Sequence, residues 1–190
     1  MSLLQLCRIR ILAGALLGLT ATLAMAAPYV RINPAASSIG FVSTQMNVPT
    51  TGHFGRFTAR ITFDPAAPAQ NSAQVTIAMA SADAGNAEAT GMLSDADWFD
   101  TKHWPEARFA STAFRALGGN RYQVSGVLTI KGRSMTETAT FVATPVTGGM
   151  RLDGTLPLSR KAFAIGTGQW SDPSVVADRV DVIFHMFMQP

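Results

Sequence analysis

Few side chains in this sequence could carry acid–base or metal chemistry. The three histidines, His53, His103 and His185, lie far apart along the chain. None of them has the close His or Cys neighbour that a local zinc motif requires. We therefore interpret them as surface or loop residues, and we predict neither a metal site nor a catalytic histidine.

The carboxylates form one local cluster. Asp95, Asp97 and Asp100 lie close together, with Glu88 and Asp83 a little upstream. Such a group could supply a carboxylate pair for proton transfer, or it could be the solvated first turn of a helix, where Asp is favoured. The second interpretation is preferred, and no Gly-x-Ser-x-Gly elbow offers a serine nucleophile. We predict no catalytic residue and no enzyme.

Residues 1–26 have the pattern of an export signal. Arg8 and Arg10 precede an apolar stretch, Ile11–Leu19, and Ala24-Met25-Ala26 supplies a small-x-small cleavage site. The stretch is shorter than the ~20 residues of a membrane-spanning helix, so a signal peptide is favoured over an anchor. We expect a periplasmic mature domain, 27–190. The only cysteine, Cys7, would be lost, which excludes disulfides and thiolate sites.

Composition narrows the classes of partner. The chain has 190 residues, of which 47% are hydrophobic and 14% charged, with a net charge of +3. Loss of the signal peptide leaves 13 basic and 12 acidic residues. A nearly neutral domain offers no electrostatic attraction to nucleic acid or to anionic membrane surfaces.

Apolar and polar residues alternate in about eight short runs of the mature domain. This pattern is typical of antiparallel strands with one apolar face. The runs lie near residues 37–47, 57–63, 75–79, 107–114, 122–130, 138–143, 150–158 and 180–188. The exception is Gly91–Asp100, where apolar residues recur at helical spacing and Ser94 or Asp95 could cap a first turn. We predict an all-β fold with one short helix.

Eight such strands can close into a barrel or stack as a two-sheet sandwich. A closed barrel of this size is either filled by its own side chains or wide enough for one small ligand. The alternation alone favours a packed core. Trp98, Phe99 and Trp104 surround the predicted helix, where they could form either a lid over a cavity or a plug in one barrel end.

Four sequence blocks follow one another along the mature domain. They are Phe41 through Gly52–Phe57 to Phe63-Asp64-Pro65, Leu93–Asp100 with Trp104–Thr112, Tyr122–Gly132, and Arg160–Gly166 with Trp170. Together they resemble the YceI-like, or polyisoprenoid-binding, periplasmic family. The stretch Glu88–Leu93 lacks the Asp-x-His-Leu that many members carry there, so no headgroup contact is predicted at this position.

The resemblance implies a lipocalin-like, extended antiparallel β-barrel that holds a long isoprenoid, a quinone-type lipid or a fatty-acid-like amphiphile, with no cofactor. It favours ligand lining over a packed core. The predicted apolar lining and portal residues are Phe41, Met46, Phe54, Phe57, Ile61, Phe63, Val75, Ile77, Met79, Trp98, Phe99, Trp104, Phe109, Leu128, Phe141, Leu156, Val182 and Phe184.

The function expected from these observations is a non-enzymatic periplasmic carrier of such a lipid. It would act as a monomer or homodimer, and its role allows transient contacts with membranes that donate or accept the lipid. Two alternatives remain open from the residues. Alternation does not say which strand face is inside, so a small outer-membrane barrel is one. An enzyme acting on a bound lipid, using the carboxylates and His103, is the other.

Overall fold

A computed structural model describes residues 27–190; the predicted signal peptide lies outside the described residues. The fold is all-β with one α-helix, which confirms the predicted fold class. No helix within 27–190 is long and apolar enough to cross a membrane. The strands are β1 (Arg31–Ile32), β2 (Ser38–Gln45), β3 (Val48–Phe54), β4 (Phe57–Thr62), β5 (Ser72–Ala78), β6 (Ala82–Asp83), β7 (Glu106–Gly118), β8 (Arg121–Ile130), β9 (Arg133–Val146), β10 (Gly149–Ser159) and β11 (Arg179–Gln189), and the helix is α1 (Ala87–Leu93).

All strand pairs are antiparallel, and the sheet curls back on itself. Its order is β4-β5-β7-β8-β9-β10-β11-β2-β3-β6, with β1 added to β11. Strand β4, at one end of this order, follows β3 after only Gly55 and Arg56, and β6, at the other end, follows β5 after the three residues Met79–Ser81, so the chain itself joins the two sides of the sheet. Closure leaves few strand edges exposed to other chains.

The strand count exceeds the predicted eight because two long strands are bent. Strand β3 continues into β4 through Gly55, and β5 continues into β6 through a short 3-10 turn, Met79–Ser81. The bends are adjacent, because Gly55 N donates to Ser81 O at 2.9 Å and Ala78 N donates to Arg56 O at 3.0 Å. Counting each bent pair once gives eight long strands and the two-residue β1.

The first long strand, predicted from Ser37 to Asn47, is β2 (Ser38–Gln45), but its last two predicted residues form the turn of a hairpin whose second strand, β3, was not predicted. Strand β2 ends at Gln45, Met46 and Asn47 form a two-residue turn with φ of 48° and 65°, and β3 pairs back along β2. Positive φ at both positions defines the type I′ turn favoured in tight hairpins. The prediction missed β3 because Pro49 and Gly52, which strands disfavour, interrupt its alternation.

The helix lies upstream of its predicted position. It spans Ala87–Leu93, and Asn86 caps it by accepting a 2.8 Å hydrogen bond from Ala89 N. Ser94, predicted as an N-cap, is the residue that ends the helix. Asn is as good an N-cap as Ser, and Glu88 in the first turn complements the helix dipole. The predicted carboxylate cluster therefore follows the helix in a series of turns.

One end of the barrel is closed by aromatic packing. Phe63 is fully buried, with its ring centroid 5.1 Å from that of Tyr122 and 5.8 Å from that of Phe141. The N-terminal segment covers this end, since Tyr29 exchanges two backbone hydrogen bonds with Phe63 and β1 pairs with the end of β11. We call it the closed end.

Candidate functional site

The barrel encloses a cavity of about 270 Å³. Its wall is formed by inward residues of the long strands, together with side chains from α1 and from the segment that links β10 to β11. Almost all of these side chains are aliphatic, aromatic or Met. The predicted apolar faces therefore point into the barrel, as the carrier hypothesis requires and the outer-membrane alternative does not.

The cavity is elongated along the strands. It is bordered by Ile39 and Gln45 on β2, and by Leu152 and Leu158 on β10. Each pair is six residues apart, or about 20 Å at the rise of roughly 3.3 Å per residue in a strand. The usual strand tilt in barrels reduces this to about 15 Å along the axis. The shape suits a chain-like molecule.

Most of the predicted lining residues meet around this cavity. Those that border it are Phe41, Phe54, Ile61, Val75, Ile77, Met79, Trp98, Phe99, Phe109, Leu128, Phe141, Leu156, Val182 and Phe184. They come from nine strands, from the 3-10 turn Met79–Ser81 and from the turns after α1, so the fold gathers them from across the chain. That they contact a ligand remains a prediction.

Four predicted lining or portal residues lie elsewhere. Met46 is 71% exposed because it sits in the β2–β3 turn. Phe63 packs into the closed end, and Phe57 packs against the core without bordering the cavity. Trp104 is 44% exposed and lies over Gly132 in the β8–β9 turn, so the lid or plug role does not include it.

The opposite end of the cavity, which we call the mouth, carries uncharged polar groups. Gln45 and Thr50 from the β2–β3 hairpin and Asn86 at the start of α1 border the cavity there. Ser43 Oγ and Thr50 Oγ1 hydrogen-bond to each other at 2.7 Å. These residues are not among the predicted site residues, because neither the β2–β3 hairpin nor the start of α1 was predicted at its observed position.

Arg160 is the one charged residue that borders the cavity in the described part of the chain, and its side chain has no donor to spare. The residue is 1% exposed. Its guanidinium donates five hydrogen bonds of 2.6–3.1 Å to backbone carbonyls, those of Ile165, Gly166, Trp170, Val176 and Ala177. Arg160 therefore organises the segment between β10 and β11 and offers no N–H to a ligand.

The turns after α1 meet the segment between β10 and β11 beside the mouth. Thr167 Oγ1 donates to Asp97 Oδ1 at 2.6 Å, and the backbone N–H groups of Gly166 and Thr167 donate to Asp97 O. The rings of Trp98 and Trp170, which both border the cavity, lie 5.7 Å apart. Trp98 Nε1 is buried without a hydrogen-bond partner.

Two of the three histidines, His103 and His185, form pairs with carboxylates on the barrel surface. His103 Nδ1 lies 2.7 Å from Asp100 Oδ1, and His185 Nδ1 lies 2.7 Å from Asp153 Oδ1. Burial acts to raise the pKa of Asp153, but hydrogen bonds from His185 and Arg151 outweigh it and lower the pKa overall. Within residues 27–190 no group of three or more His, Cys, Asp or Glu side chains is placed to hold a metal ion.

The fold and its interior define an antiparallel β-barrel protein with an elongated apolar cavity. The family model described as "YceI-like domain" matches residues 30–188. The chain therefore belongs to the YceI-like family, which confirms the resemblance inferred from its four sequence blocks.

Individual relatives agree with this assignment. The UPF0312 protein of Photorhabdus laumondii is 40% identical over 122 residues, which are 63% of this chain and 62% of that protein. Protein YceI of Escherichia coli O157:H7 is 36% identical over 81 residues, 43% of this chain and 42% of that protein. The matched part of the chain thus spans about three fifths of the first relative's length and less of the second.

Solved structures match over a larger share of the chain. The crystal structure of Burkholderia cenocepacia BcnA is 45% identical with a TM-score of 0.80, covering 83% of this chain and 99% of that one. A polyisoprenoid binding domain from Saccharophagus degradans is 17% identical with a TM-score of 0.63, covering 85% of this chain and 97% of that one. The second likeness shows the fold alone.

Proposed function

We propose that this protein is a non-enzymatic periplasmic carrier that holds one long apolar amphiphile, of the polyisoprenoid, quinone-type or fatty-acid-like class, inside its barrel. The observation that carries the proposal is the elongated cavity, whose wall is apolar along about 20 Å of strand. A site that shelters a chain-like lipid from water requires this combination of length and apolar lining.

Burial of the ligand supplies the binding free energy. Apolar surface removed from water contributes roughly 25 cal/mol per Å², before the costs of association are subtracted. The part of an apolar chain that lies along the cavity can therefore be bound without a charged anchor. The uncharged polar groups at the mouth, including Gln45 and Asn86, would face the ligand's polar head.

The absence of reacting groups at the wall supports a binding role. Apart from Arg160, no titratable side chain of residues 27–190 borders the cavity. The carboxylates and His103, on which the enzyme alternative depends, lie in surface pairs or between loops. General acid–base catalysis needs such a group within hydrogen-bond reach of the substrate.

Family membership supports the ligand class, and the N-terminal sequence supports the location. The Saccharophagus degradans domain with this fold is described as a polyisoprenoid binding domain. Residues 1–26 have the basic, apolar and small-residue order of an export signal. The nearly neutral mature domain fits a small hydrophobic partner better than nucleic acid.

Lipid extraction tests the proposal directly. Protein purified from its native envelope without detergent is expected to release a lipid in near-stoichiometric amount, identified by mass spectrometry. Ala139→Phe fills the cavity from β9, whereas Val142→Phe places the same ring on the outer face of that strand. The first variant should lose the lipid and the second should keep it. An extract without lipid, or equal retention by both folded variants, would overturn the proposal.

A further inference from the structure

The tip of the β2–β3 hairpin exposes two apolar side chains beside the mouth. Met46 is 71% and Val48 60% exposed, the two largest values for large hydrophobic residues in the described part of the chain. Both are adjacent to residues of the cavity wall, because Gln45 precedes Met46 and Thr50 lies two residues after Val48. The tip therefore lies directly beside the cavity entrance.

Folding does not require Met46 at this position. Its φ of 48° lies in the left-handed region, where Asn and Gly are favoured and other side chains are strained. Its neighbour Asn47 is a residue of the favoured kind. A strained and exposed apolar residue points to a role outside the fold.

The tip is held firmly in place. Met46 N donates to Val175 O at 2.9 Å, and Ala177 N donates to Thr44 O at 2.8 Å. Gln45 also forms a bridge with Val176. These bonds connect the hairpin to the segment organised by Arg160, so the two side chains project from a rigid support and little ordering is needed when they bind.

The composition of the hairpin indicates what it contacts. No charged residue occurs from Ser38 to Gly52, so the tip can leave water without desolvating an ionic group. Two side chains offer far less than the roughly 800 Å² per partner that a specific protein interface buries. Shallow insertion into the apolar boundary of a bilayer requires no such area.

We infer that the β2–β3 hairpin tip inserts Met46 and Val48 into the surface of a lipid bilayer, so that the mouth exchanges its lipid with the membrane without exposing the lipid to water. The inference rests on the proposed function for its purpose. The docking itself is a property of the free protein and can be measured without any ligand.

A single fluorescent label tests the docking. The described chain contains no cysteine, so Asn47→Cys gives one attachment site for a polarity-sensitive dye at the tip. Asn120→Cys is the matched control, because Asn120 also has positive φ, at 61°, in a hairpin turn near the closed end. We expect phosphatidylcholine vesicles to shift the emission of the first label to the blue and to leave the second unchanged.

The proposed docking is driven by burial of apolar side chains, so its dependence on salt and on these side chains can be tested. The shift should be the same in low and high salt, and adding Met46→Asn and Val48→Thr should reduce it at least fivefold. Both replacements suit a turn or strand, so the fold is expected to persist. A control pair on the outer wall, Val127→Thr and Val142→Thr, should leave the shift within twofold.

Several outcomes would overturn the inference. These are equal shifts for the two labels, a shift that disappears in high salt or needs anionic lipid, and a shift that grows with protein concentration without vesicles. The last would assign the tip to a second copy of the chain. If lipid extraction succeeds while the tip label does not respond, the carrier function stands and the docking fails. If the tip label responds while the extract contains no lipid, the docking stands and the carrier function fails.

Discussion

Arg160 Nη2 donates a 2.6 Å hydrogen bond to the carbonyl oxygen of Val176, sixteen residues further along the chain. The same guanidinium donates to four other carbonyls, and none of its hydrogen bonds goes to a carboxylate. Burial lowers the pKa of Arg160, and the charge of Asp178 opposes this shift. A cation satisfied by carbonyl dipoles thus holds together the segment that borders the mouth.

Arg160→Leu should be strongly destabilising. The substitution leaves five carbonyl oxygens without their donor in a place that water barely reaches, and unsatisfied buried groups cost about 1–3 kcal/mol each. Because some of them will be rehydrated as the segment loosens, we expect a total loss of about 3–5 kcal/mol in the free energy of unfolding, measured with denaturant.

Arg179→Leu is the control for this loss. Arg179 is exposed on β11 and pairs with Asp181 at 2.9 Å, and such surface pairs contribute about 1 kcal/mol or less. Equal effects of the two substitutions would contradict the role assigned to the buried hydrogen bonds of Arg160.

Regular alternation made the long strands predictable from sequence. In β8, Tyr122, Val124 and Leu128 face inward and are buried, as their spacing indicates. Strand β3 escaped prediction because Pro49 and Gly52 break its pattern. Its pairing is imposed by β2 and by ring closure, which are long-range effects that a local pattern does not contain.

Strand alternation also made the residues of the cavity wall predictable from sequence. The residues at the mouth were not predictable in this way. Phe109 and Leu128 follow from strand periodicity and both border the cavity. Arg160 does not, because its burial depends on carbonyls that only the folded chain brings together. Met46 was assigned to a strand face because the two-residue turn was not recognised, although Asn47 was a signal for it.

Trp98→Phe should separate a hydrogen bond to the ligand from simple packing. Trp98 borders the cavity, and its buried Nε1 has no partner in the free protein. If an oxygen of the ligand accepts a hydrogen bond from Nε1, the substitution should weaken the binding free energy by about 0.5–1.5 kcal/mol, which lowers the affinity about 2–10-fold. We expect that loss for a polyprenol and none for squalene, which has no oxygen, measured by fluorescence displacement. Equal losses for both lipids would show that the indole only packs.

Phe141→Ala should lengthen the cavity toward the closed end. The Phe141 ring lies 5.4 Å from Tyr122, 6.2 Å from Phe114 and 6.3 Å from Phe184, and it also borders the cavity. Removing it should lower the free energy of unfolding by about 3–5 kcal/mol. The lipid that co-purifies with the variant should shift to longer chains in the mass spectrum. An unchanged chain length in the folded variant would place the ligand elsewhere in the barrel.

Glu137→Gln should stabilise the protein at neutral pH. Glu137 lies opposite Gly126 of β8, is partly buried, and belongs to the part of β9 that does not pair with β10. Burial raises its pKa above the ordinary value of 4.5. The folded state therefore favours the protonated acid, and stability declines as the pH rises from below 4.5 through the raised pKa. Gln removes that decline, so we expect the melting temperature to rise at pH 7 and to change little at pH 4. The exposed Glu106→Gln, which breaks a surface pair with Arg108, should show no such gain at pH 7. A gain of equal size for Glu137→Gln at both pH values would mean that the charge of Glu137 is not its cause.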